Sequence, residues 1–164
     1  MSPRFGIAFG GGGARGLAHI HVIEALDELG IRPVAIAGSS IGAIMGAGMA
    51  AGMSGREIRE YAHSVLSDRT QVASRMWRAR PGTLTEALEG GLRVTQFNVE
   101  RILKAFLPDA VPATFEELEI PLKVTATDFF GHKLAVFNEG DLHSALAASA
   151  AIPAVFRPVV RDGT

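Results

Sequence analysis

The chain reads as an α/β domain around a mostly parallel central sheet. Two short apolar runs, residues 5–10 and 34–37, stop at glycine as buried strands do. A helical pattern follows each run, so strand, helix, strand and helix fill the first third of the chain, the signature of parallel βαβ units. Of the 164 residues, 48% are hydrophobic and 20% charged, which permits a buried core and lies outside the composition of disordered chains.

The first helix is expected over residues 14–29. Leu17, Ile20, Ile23, Leu26 and Leu29 recur every three positions with Glu24, Asp27 and Glu28 between them, and Gly30 closes the run. The second helix, 41–53, is rich in glycine and alanine and so can lie close to neighbouring backbone. Residues 33–55 carry no charge, and Gly42/Gly46 and Gly48/Gly52 repeat the spacing of membrane helix pairs. A Gly-Ser-Ser-Ile-Gly break at the middle of this stretch argues instead for a strand, a tight turn and a helix.

Ser54 and Glu57 have capping-box spacing ahead of a third helix marked by Ile58, Tyr61, Val65 and Leu66. Beyond it Arg69, Arg75, Arg78 and Arg80 surround Trp77, the only tryptophan. A short helical stretch is expected between Gly82 and Gly90, and a clearer helix over 98–107 with Val99, Ile102, Leu103 and Phe106 on its apolar face. Thr114 and Glu117 repeat the capping box before a brief helical turn. Strands are expected over 121–127 and 133–137, followed by a small-residue helix that Asp141 caps and that ends near Ala151, ahead of Pro153. A last strand, 156–161, runs into Asp162-Gly163, a hairpin-turn signal. With no partner strand behind that turn, the expectation is a single catalytic domain, 1–164, whose carboxy-terminal part is missing.

Charge and cysteine content narrow the function. Sixteen Lys and Arg against 17 Asp and Glu leave a net charge of −1, so there is no electrostatic pull toward nucleic acid. The chain has no cysteine, which removes a disulfide framework, a thiolate zinc site and a cysteine nucleophile. The five histidines include no pair at metal-ligand helical spacing, so neither a metal nor a cofactor is expected.

Two glycine clusters hold the chemistry. In the first, Gly11-x-Gly13-x-x-Gly16 matches a dinucleotide fingerprint, but that reading needs an acid about 20 residues on, where residues 36–38 are Ile-Ala-Gly. The second, Gly38-Ser39-Ser40-Ile41-Gly42, is a G-x-S-x-G nucleophile elbow between a strand and a helix. It assigns the nucleophile to Ser40 and makes Ser39 a turn residue; the plainer alternative is a βα turn with an N-capping serine. Together the clusters divide the work of acyl transfer. Residues 10–13 can aim backbone N–H groups at the oxyanion formed when Ser40 attacks an ester, each donor contributing about 2.7–4 kcal/mol. Arg15 can add positive charge or organise the loop.

On these residues the sequence resembles the bacterial members of the patatin-like phospholipase family. The resemblance rests on Gly11-Gly12-Gly13-Ala14-Arg15-Gly16-Leu17-Ala18-His19, on the elbow from Gly38 to Gly42, and on Ala148-Ser149-Ala150-Ala151-Ile152-Pro153. Thr127-Asp128 and Glu139-Gly140-Asp141-Leu142 add to it. It implies a three-layer α/β sandwich and a lipid acyl hydrolase that uses a Ser–Asp dyad without a catalytic histidine. Ser40 then matches the nucleophile, Gly11, Gly12, Gly13 and Arg15 the oxyanion loop, and Gly38 and Gly42 the elbow. The dyad aspartate of the family belongs to an Asp-Gly-Gly or Asp-Gly-Ala motif, which this sequence does not contain. Asp162 is the in-chain candidate, although it sits at the expected hairpin one strand too early.

The competing mechanism is a triad in the order Ser40, Asp128, His143. His19 and His21 read as packed or solvated side chains. The stretch from Arg69 to Arg80 around Trp77 reads either as a flap touching anionic lipid or as a solvated loop. The expected substrate is a lipid or other acyl ester and the expected setting cytoplasmic, peripheral to a membrane; the sequence does not specify an oligomeric state. A non-catalytic acyl-binding or lipid-binding module of the same fold is the alternative function.

Overall fold

The computed structural model describes residues 4–67, 99–152, 156 and 159–160. Among these residues four strands form one sheet in the order β1 (Gly6–Phe9), β2 (Ala35–Ser39), β3 (Leu122–Asp128) and β4 (Lys133–Phe137). The first two pairings are parallel and the third antiparallel, with Phe9 opposite Gly38 and Ser39 opposite Thr125. The mostly parallel α/β architecture read from the sequence is therefore present.

Among the described residues five α-helices accompany the sheet: α1 (His19–Glu28), α2 (Ile41–Ala50), α3 (Gly55–Ser67), α4 (Val99–Phe106) and α5 (Leu142–Ala150). Local chemistry sets their ends. Gly30, at φ 64°, stops α1 while Ile31 N–H donates to Leu26 O at 2.9 Å. The box ahead of α3 closes, with Ser54 N–H donating to Glu57 Oε2 at 2.8 Å and Glu57 N–H to Ser54 Oγ at 3.2 Å. Asp141 caps α5 by accepting from Ser144 N–H at 2.9 Å. The Thr114–Glu117 box initiates only a short 3-10 turn, Phe115–Glu117.

The first helix departs from expectation at its start. The helix anticipated from residue 14 begins as a 3-10 turn, Gly13–Ala18, and becomes α-helical only at His19. Gly16 in that turn lies so close to Ile41 that an added Cβ would overlap its Cγ2, so the turn is pressed against the start of α2.

The buried face of the sheet, including Ile36, Leu122 and Val124, shares one apolar cluster with Ala43 and Ala47 of α2 and Leu142, Ala145 and Leu146 of α5. The uncharged stretch 33–55 is accounted for by β2, the turn at Ser40 and α2. Among the described residues no helix is long and apolar enough to cross a membrane. The helical stretch between Gly82 and Gly90, residues 157, 158 and 161 of the expected last strand and the Asp162-Gly163 turn lie outside the described residues; of that strand, Phe156 makes a single β-bridge and residues 159–160 are irregular.

Candidate active site

Because β1 and β2 are parallel, the loops that follow them leave the same edge of the sheet. The chain turns from β2 into α2 at Ser40, whose backbone sits at φ 52° and ψ −124°, a conformation that costs a non-glycine residue about 1–3 kcal/mol. Packing on both sides maintains it. A Cβ on Gly38 would lie 2.5 Å from Ala43 Cα, and one on Gly42 would overlap Phe9 O and sit 2.5 Å from Gly10 O. The two glycines thus let the ends of β1 and β2 pass directly against the first turn of α2.

The simple capping role for Ser40 is not realised, since its side chain makes no capping hydrogen bond. Its carbonyl accepts from Ala43 N–H at 3.0 Å and Ile44 N–H at 3.2 Å, so the backbone alone starts the helix. Gly11 lies beside it: a Cβ there would be 3.6 Å from Ser40 Cβ, an ordinary contact distance. Gly12 and Gly13 adopt φ 152° and 56°, which suit glycine, and residues 10–13 are exposed, leaving loop backbone open at the site. Arg15 N–H donates to Gly12 O at 3.3 Å and the arginine is exposed on the rim.

Two further residues shape this corner. His19 Nε2–H donates to Gly10 O at 2.8 Å, and its ring packs on Phe9 at a centroid distance of 5.1 Å, which ties the glycine loop to α1. Ser149 of α5 accepts from Ser40 N–H at 2.7 Å and donates to Thr125 O at 2.6 Å. Both residues belong to the segments that carry the family resemblance, and that was their only signal in the sequence.

An apolar cavity of about 260 Å³ lies alongside, between α2, α3 and α4. Its wall includes Leu17, Ile41, Ile44, Tyr61, Leu103 and Phe106. Ile41 directly follows Ser40, and Leu17 follows the glycine loop.

The alternative triad residues are engaged elsewhere. Asp128 Oδ1 accepts from Gly131 N–H at 2.8 Å and Oδ2 lies 3.7 Å from Lys133 Nζ, which organises the β3–β4 turn. His143 Nε2–H donates to Val111 O at 3.4 Å, and His21 faces Glu24 at 3.3 Å. Among the described residues no group of three or more His, Asp or Glu could hold a metal ion. Two carboxylates away from the elbow are held low by backbone amides. Ser54 backbone N–H holds Glu57 below its ordinary value, and Gly140 N–H does the same for Glu116. Asp162 and the Arg69–Arg80 stretch with Trp77 fall outside the described residues.

The patatin-like phospholipase family model matches residues 7–164. The chain belongs to that family. An NTE family protein of Mycobacterium tuberculosis is 42% identical over 99% of the chain. Human patatin-like phospholipase domain-containing protein 6 is 27% identical over 96% of it. The chain spans 41% of the mycobacterial relative and 11% of the human one. ExoU from Pseudomonas aeruginosa, solved in complex with SpcU, superposes with a TM-score of 0.56 at 22% identity, over 92% of this chain and 39% of that one. VipD from Legionella pneumophila gives 0.55 at 15% identity, over 97% and 44%. These two structures share the patatin-like fold with the chain.

Proposed function

We propose that this patatin-like domain is the nucleophile-bearing part of a serine acyl hydrolase acting on lipid esters. Ser40 Oγ attacks the acyl carbonyl and gives up its proton to a base. The amides of Gly11, Gly12 and Gly13, assisted by Arg15, stabilise the oxyanion. The alcohol departs with a proton, and water then releases the acyl group from Ser40. The base in this reading is a carboxylate carried outside residues 1–164, and the cavity beside Ile41 takes up the acyl chain. Contact with the lipid is peripheral, in a cytoplasmic setting.

The observation that supports this reading best is the strained backbone of Ser40, held between two packed glycines with its side chain free of any capping bond. Ser40→Ala in the full-length polypeptide is expected to abolish turnover of p-nitrophenyl butyrate and labelling by a fluorophosphonate. Unchanged turnover overturns the mechanism. Lipid binding by a wild-type protein whose Ser40 resists the probe favours a non-catalytic binding module, for which the cavity alone would suffice.

A further inference from the structure

We infer that Ser149 is a positioning residue that splints the nucleophile elbow by replacing the last rung of the β2–β3 ladder with its hydroxyl. The inference rests on Ser40 being the nucleophile. In the parallel pairing of β2 and β3, Ile36 N–H donates to Pro121 O at 2.9 Å, and Ile36 lies opposite Leu122. Rungs of a parallel ladder recur every two residues, so the series continues from Gly38 N–H toward Lys123 O and from Ser40 N–H toward Thr125 O.

That final rung is not made directly. At φ 52° the elbow turns Ser40 out of the ladder, and Ser149 Oγ occupies the gap. It accepts from Ser40 N–H at 2.7 Å and donates to Thr125 O at 2.6 Å, using one donor and one acceptor function of the hydroxyl. Ser40 and Thr125 are both half-buried, so losing the bridge leaves the Ser40 N–H and the Thr125 carbonyl poorly solvated and without their partner. The nearest remedy is for Ser40 N–H to move toward Thr125 O, which draws the residue back toward extended backbone and turns Oγ away from the Gly11 loop.

The bridge also has a chemical consequence. With its own N–H committed to Ser149, Ser40 contributes no amide of its own to the oxyanion. Ser149 therefore acts on the reaction only through the backbone of Ser40.

The test compares Ser149→Ala and Ser149→Thr with wild type in the full-length polypeptide. It follows the fluorophosphonate labelling rate at Ser40, kcat and KM on p-nitrophenyl butyrate, and hydrogen exchange at the Ser40 amide. Ser149→Ala is expected to slow labelling and kcat by about tenfold or more, leave KM nearly unchanged and speed exchange at Ser40. Ser149→Thr retains the hydroxyl and is expected to restore most of the rate. Wild-type labelling in the alanine variant overturns the splint, as does a threonine variant as slow as alanine with an equal loss of Tm, which marks a packing role. If alanine prevents folding, Ser149→Cys, with only weak donor and acceptor capacity, carries the same expectations. Should wild-type Ser40 resist the probe, the hydrolase reading fails, and amide exchange still decides the splint: unchanged exchange at Ser40 in the alanine variant overturns it.

Discussion

At the ends of β1 and β2 the chain packs backbone against backbone, whereas further along the same edge the β3–β4 turn holds two phenylalanines in solvent. Phe129 and Phe130 are 56% and 78% exposed and stack edge to face at 5.5 Å. Their turn is organised from within, by Asp128 and the amide of Gly131. The elbow is organised from outside, by β1, α2 and α5, which together hold Ser40 in a conformation it would not choose alone. Positive φ does not separate the two corners, since His132 in the turn sits at φ 51° and Ser40 at 52°; what separates them is that the elbow is packed against neighbouring backbone and the turn is open to solvent.

The contrast is broken most severely at Gly42. Its added methyl would meet carbonyl oxygens of Phe9 and Gly10, so Gly42→Ala is expected to cost more than about 3 kcal/mol in urea unfolding and to abolish labelling of Ser40. Gly16→Ala meets the Cγ atoms and Cβ of Ile41 instead, and about 1–3 kcal/mol is expected; in a double-mutant cycle Ile41→Ala, which removes both γ carbons, should lessen that cost. Acid offers a milder probe of locally built features. Glu57 and Glu116 are held below their ordinary value of 4.5, so the stability they contribute is present above that pH and is lost as the pH falls below it. Thermal melts between pH 6 and 3 should show a component of this sign that Glu57→Gln and Glu116→Gln reduce. The smallest effect belongs to the hairpin tip, where Phe130→Ser should change stability by less than about 0.5 kcal/mol. A large loss there would show that the two corners are built alike.

The elbow and the glycine loop were legible because their chemistry is contiguous: the residues that permit the turn lie within two positions of Ser40. The capping boxes at Ser54 and Thr114 were legible for the same reason. The ends of elements were less so. Residue spacing of three from Leu17 to Leu29 suits a 3-10 turn nearly as well as an α-helix, so it did not show that the first turn is 3-10. β2 runs on to Ser39, beyond the apolar run, because the ladder to Thr125 carries it. The second helix stops at Ala50, short of Met53, and Gly52 follows at φ 87°, where Glu119 fills the space a side chain would need. The roles of His19 and Ser149 were invisible because their partners are distant in the chain and backbone atoms carry no residue-specific pattern.

The bridge to Ser40 also has a direction in time. Its hydroxyl lies 109 residues downstream of the amide it receives, and a chain made at about 5–20 residues per second leaves the elbow without that partner for roughly 5–20 s. Translation therefore releases the serine long before the structure that aims it, and a nascent or prematurely terminated chain carries the motif in an unaimed form.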